Sequence, residues 1–166
     1  MSVEIHNETG YSKRGVYRIY LFDGDAPVEI PRVRGVDKQG LLLIGRSENI
    51  ENRRKRFIRS EEGRGPGHSE GQLLFLMKQF FEKLKEQQIR FNFDKVDSKK
   101  EAEEMEKEEL RKYFKIHLEL PPLNSAMPRR REWFDELRAI DKYACGERLR
   151  NHPSPSLRRV GQRSSS

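Results

Sequence analysis

Three polar side chains in this sequence occupy positions where the surrounding pattern asks for apolar ones. Arg53 follows Ile50 by three residues and precedes Phe57 by four, which puts it on their helix face. Glu106 stands four residues after Ala102 and four before Leu110, on or beside the buried face of its own helix. Tyr17 shares a strand face with Ile19 and Leu21, so its hydroxyl points toward a core. A guanidinium, a carboxylate and a phenol facing one sheet would make a site for an anion and a metal ion. Each also has a plainer explanation, because long side chains snorkel at helix edges and a core tyrosine needs only a hydrogen-bond partner.

The elements that must position these groups can be read from periodicity and punctuation. Residues 15–22 (GVYRIYLF) alternate as a strand, with Val16, Tyr20 and Phe22 mostly on the face opposite Tyr17. Gly24, Pro27, Pro31 and Gly35 make 23–39 a long connection with room for a short extra hairpin. Residues 41–45 (LLLIG) are wholly apolar, as in a strand buried on both faces. A helix over 48–61 would take Ser47 as its cap, and GRGPG at 63–67 must be loop. A second helix is expected over 69–88, packed by Leu73, Leu76, Phe80 and Leu84. Ile89, Phe91 and Phe93 alternate as a third strand, and a helix over 98–114 opens on an acidic turn after Ser98. Pro121 and Pro122 keep 118–124 extended. A last helix over 130–144 carries a stripe of Trp133, Phe134, Leu137 and Ile140, and the Pro-, Ser- and Arg-rich end from Asn151 has little to bury.

The order β-β-α-α-β-α predicts an α+β fold, a small three-stranded antiparallel sheet flanked by helices, with a C-terminal helix and disordered tail beyond it. The expected divisions are a main domain over 1–124, a helical extension over 125–150 and a basic tail over 151–166.

Charge points to a polyanionic partner. The chain carries +7 at neutral pH. Residues 125–166 hold ten basic and five acidic side chains, against 24 and 22 in the first 124, so the main domain is nearly balanced. Within it, 46–64 holds seven basic and four acidic residues, whereas 97–109 holds three and seven. A basic helix would meet nucleic acid beside an acidic one, unless both are merely solvated faces. No apolar run approaches the roughly 18 residues of a membrane span, and residues 1–10 lack a signal peptide's basic and apolar regions. Cys145 is the sole cysteine, so an internal disulfide and a multi-cysteine zinc site are excluded. The expected setting is soluble and cytoplasmic.

Local motifs add a family resemblance. Gly15-Val16-Tyr17 and Leu43-Ile44-Gly45 resemble the paired strand signatures of the GIY-YIG nucleases. The run from Gly45 through Arg46 to Arg53 is similar to that family's passage from its second signature to its arginine. Glu106 to Tyr113 resembles its glutamate helix, and Pro121-Pro122-Leu123-Asn124 its closing Pro-x-x-Asn element. These stretches span 15–124, in the family's order. There are departures. Leu43 replaces the second tyrosine, Phe57 stands where some members have a histidine, and Tyr17 and Leu43 are farther apart than in compact members. His68 resembles a histidine of the homing-endonuclease branch, and Glu109 competes with Glu106 as the metal ligand.

The resemblance implies a metal-dependent DNA endonuclease. Tyr17 would take a proton from the attacking water, its pKa lowered by a cation or its proton shared with His68. Arg53 would clamp the scissile phosphate, Glu106 would hold one Mg²⁺ or Mn²⁺ per active site, and Asn124 would orient Glu106 or the phosphate. Arg46, Arg54, Arg56, Arg129, Arg130 and Arg131 would bind DNA. Because one active site cuts one strand, a double-strand cut would need a homodimer. The alternative is a nucleic-acid-binding module on the same fold, weakened in catalysis. Other chemistry lacks its motifs. There is no Gly-x-x-x-x-Gly-Lys loop and no His-Glu-x-x-His helix, while His6, His117 and His152 have no ligand spacing.

Overall fold

A computed structural model of the chain describes residues 14–65, 68–125 and 133. The chain divides into two units, residues 1–128 and 129–166, and the description below concerns the first. The helix expected over 130–144, apart from Trp133, the tail from Asn151, and Arg129, Arg130 and Arg131 lie outside the described residues.

The first unit is built on β1 (Gly15–Asp23), which pairs antiparallel with β5 (Leu41–Ser47) on one side and β6 (Gln88–Lys95) on the other. Tyr17 stands opposite Gly45 across one ladder and Phe93 across the other. The connection from β1 to β5 is folded. β2 (Ala26–Pro27) extends the sheet beside the end of β1, and β3 (Ile30–Pro31) pairs with β4 (Val36–Asp37) as a separate hairpin. Asp37 is buried and pins this insertion, accepting hydrogen bonds from the Gln39 and Leu41 N–H groups and from the Tyr113 hydroxyl. A buried carboxylate needs such donors.

Helices cover both faces of the sheet. α1 (Ile50–Glu61) and α2 (Ser69–Phe80) pack over Tyr17, Ile19 and Leu21, where Ile50, Phe57 and Leu74 complete the core. α4 (Lys99–His117) lies on the opposite face, where Glu109 reaches Arg18. The Ser98 hydroxyl caps α4 through the Glu101 N–H, and the Glu101 carboxylate reaches back to the Asp97 N–H, a reciprocal cap. The cap of α1 is Asn49, not Ser47: its side chain accepts the Asn52 N–H at 2.9 Å, while Ser47 bonds Asn49 one turn earlier.

α2 departs further from the sequence reading. The helix stops at Phe80, Phe81 is extended, and a short α3 (Glu82–Glu86) follows. Leu73, Leu76 and Phe80 do not pack; they are 43%, 54% and 80% exposed. The buried face is Gly71, Leu74 and Lys78. A Cβ on Gly71 would come within 2.8 Å of the Phe57 carbonyl oxygen, so the missing side chain lets α2 press against α1. Lys78 then lies against Glu61 as a buried ion pair. Close backbone approach and charge pairing, not the apolar stripe, set the rotation of this helix.

Candidate active site

One pocket of about 310 Å³ gathers four of the five candidate catalytic residues, Tyr17, Arg53, Glu106 and Asn124. Tyr17, Leu43, Gly45, Arg46, Arg53, Glu106 and Asn124 all line it. Leu43 and Gly45 belong to one face of β5, Ile44 and Arg46 to the other, so the pocket wraps the edge of that strand.

Tyr17 is held on three sides. Its ring stacks on Phe91 at 5.2 Å, and its hydroxyl accepts the Arg53 Nε–H at 2.8 Å. The third side is Gly45, where an added Cβ would sit 2.6 Å from the phenolic oxygen. Only glycine leaves room for the phenol to cross the β5 backbone. Burial raises the Tyr17 pKa above its usual value, and neighbouring Arg53 offsets this only in part. That corrects the expectation of a lowered value: in this pocket Tyr17 is a neutral phenol at pH 7.

Glu106 is the pocket's α4 carboxylate. Burial raises its pKa, while Arg46, bonded to it at 2.9 Å, pulls the other way. Glu109, the alternative ligand, does not line the pocket and is clasped by Arg18, which also pairs with Asp94. Tyr113, at the far end of the glutamate helix, turns to Asp37 and away from the pocket. Among the described residues no group of three or more His, Cys, Asp or Glu could hold a metal ion. Glu70 and Glu106 are the carboxylates that line the pocket, and a cation held by Glu106 would fill the rest of its shell with water, which suits a hard ion such as Mg²⁺.

Two candidates find other work. Asn124 lines the pocket but spends its side-chain hydrogen bonds on Ile44 and not on Glu106. Its Oδ1 accepts the Ile44 N–H at 3.0 Å and its Nδ2 donates to the Ile44 carbonyl at 2.7 Å. With the Leu123 N–H donating to the Leu42 carbonyl, it closes the open edge of β5. Arg46 does not project freely toward DNA, since it spans Glu103 and Glu106. Arg54 is partly buried on α1, and Arg56 is exposed.

His68 stands behind Tyr17 and does not line the pocket. Its buried ring meets Phe57 edge-on, with Nε2 at 3.5 Å from the Tyr17 hydroxyl. Burial, with Arg53 and Arg56 nearby, pulls its pKa down to about 4, so the ring is neutral at pH 7. Glu70 was not anticipated. It lines the pocket from the first turn of α2, and no periodicity marks it, because only the loop before α2 brings it here. Arg46 and Arg53 thus face Glu70 and Glu106, two charges against two.

No family model, curated protein or solved structure matches this chain. Among the described residues, no helix is long and apolar enough to cross a membrane.

Proposed function

We propose that the chain is a metal-dependent endonuclease of the GIY-YIG type, hydrolysing phosphodiester bonds in DNA. One observation carries the reading. A phenol, a guanidinium and a carboxylate from β1, α1 and α4 meet in a single pocket, with the Arg53 Nε–H bonded to Tyr17. Arg53 spends one donor there and keeps its terminal amino groups, a planar fork suited to phosphate oxygens. A Mg²⁺ or Mn²⁺ ion on Glu106 would supply positive charge for the phosphate and the leaving oxygen. Tyr17 accepts the proton of the attacking water as its own proton passes to His68 Nε2. The new P–O bond forms as the P–O bond to the leaving sugar oxygen breaks, and solvent protonates that oxygen.

The basic charge of the chain supports a polyanionic substrate. A second reading, a nucleic-acid-binding module weakened in catalysis, draws on Leu43 at the pocket wall and on the Arg46–Glu106 pair. Incubating supercoiled plasmid with the protein in Mg²⁺ or in EDTA separates the two. The nuclease reading expects nicked and linear product in Mg²⁺ alone, and a loss of at least about a hundredfold in Arg53→Ala and in Glu106→Ala. Binding without cleavage by the unaltered protein would favour the second reading. Cleavage at the original rate by either variant would remove that residue from the chemistry.

A further inference from the structure

The contacts of His68 on its two ring nitrogens are unlike each other, and together they fix where its proton must be. Nε2 faces the Tyr17 oxygen at 3.5 Å. That oxygen already accepts from Arg53, so its own hydrogen needs an acceptor. Nδ1 lies 2.8 Å from Glu70 Oε2, close enough for an ion pair, although the angle at the ring is too bent for a full hydrogen bond. A carboxylate is acceptor-only and repels a lone pair at that distance. With the proton on Nε2, two donors would crowd the phenolic oxygen and the Nδ1 lone pair would face a carboxylate. With the proton on Nδ1, an N–H dipole faces the carboxylate and the Nε2 lone pair faces the phenolic hydrogen, so both contacts are attractive.

We infer that Glu70 is a positioning residue: it holds His68 as the Nδ1–H tautomer, leaving the Nε2 lone pair to receive the Tyr17 proton. Glu70 is suited to this. The Ser69 hydroxyl donates to it at 2.7 Å. Burial works to raise its pKa, yet Ser69, its own backbone N–H at the start of α2, His68 and Arg53 bring it below the ordinary carboxylate value, so it is anionic at pH 7. When the proton of the attacking water reaches the Tyr17 oxygen and the Tyr17 proton reaches Nε2, the resulting imidazolium lies against a negative charge. The catalytic consequence rests on the nuclease reading; the tautomer does not.

The test therefore has two arms. In protein labelled with ¹⁵N-histidine at pH 7, and with His68 assigned through His68→Gln, Nδ1 should carry the proton and Nε2 should show the signature of an unprotonated nitrogen. In Glu70→Gln the side-chain amide can donate to Nδ1, and the proton should move to Nε2. In the second arm, single-turnover cleavage in Mg²⁺ should fall about a hundredfold or more in Glu70→Gln with DNA affinity within a factor of about three, and Glu70→Asp should recover part of the rate. An Nε2–H tautomer in the unaltered protein overturns the inference, whether or not the protein cuts DNA. So does an unchanged tautomer in Glu70→Gln, even if cleavage falls. A protein that cuts nothing would defeat the nuclease reading alone, with the spectrum still deciding the role of Glu70.

Discussion

At Gly45 a single methyl group would intrude on the phenol that the pocket is built around. Tyr17 cannot swing aside easily, because Phe91 stacks on its ring and Arg53 holds its hydroxyl. Gly45→Ala should cost about 1–3 kcal/mol of stability in denaturant unfolding and lower cleavage with it. Unchanged values for both would mean that the ring has room to move. His68 makes a prediction about pH. Its pKa is about 4 when folded and near 6.5 when unfolded, so only the unfolded chain binds the proton between those values. Stability should be full above pH 6.5, fall by up to about 3 kcal/mol as pH drops toward 4, and level off below. Burial, Arg53 and Arg56 disfavour the charged ring and Glu70 favours it; with the titrating ring removed the slope should weaken in His68→Gln, as urea titrations along that range would report. Tyr17, Arg53 and Glu106 were legible in the sequence because each breaks the apolar phase of its element. Glu70 breaks none: it sits in the first turn of α2, and its place depends on a loop whose course no periodicity encodes. Asn124 was legible as a site residue but not in its role, since its partner is a backbone amide 80 residues away.

The strands were readable at the level of elements, because alternation in 15–22 and 89–93 and the apolar run at 41–45 leave little choice of conformation. The ends of α4 were also readable, from Ser98 at its start to the prolines after it. α2 was not, because Leu73, Leu76 and Phe80, three of the residues its apolar pattern offers, lie on the exposed side. The contact face depends on Gly71 and Lys78, and neither announces itself as a core residue by type. This assignment can be checked directly. Leu74→Ala should cost about 2–5 kcal/mol, whereas Phe80→Ala, which removes a larger side chain, should stay within about 0.5 kcal/mol. The reverse order would restore the face that the sequence favoured. The long connection between β1 and β5 also gained a meaning that spacing alone could not supply: Asp37 and Tyr113 fasten it to α4 as a folded hairpin.

For the molecule as a whole, charge is arranged more evenly at the pocket than over the chain. The sequence carries +7, yet Arg46 and Arg53 are matched by Glu70 and Glu106 where a phosphate would bind. A divalent ion would tip that balance by two. Affinity for a short DNA duplex should therefore rise severalfold when Ca²⁺ replaces EDTA at constant ionic strength. Glu106→Gln should bind more tightly than the unaltered protein in EDTA and respond little to Ca²⁺. Equal affinity with and without the ion would separate DNA binding from the Glu106 site.

The stitch between Asn124 and Ile44 has a consequence for motion. Ile44 turns its amide away from β1, so its proton is sheltered by one side chain from a distant segment and not by a neighbouring strand. The Asn124 side chain should then part from Ile44 while the sheet stays intact, a local event of lower free energy than unfolding. Hydrogen exchange would see this as a fast Ile44 amide within a slow strand, and faster still in Asn124→Ala. A substrate too large for the closed pocket would meet its wall at the place where this opening is expected.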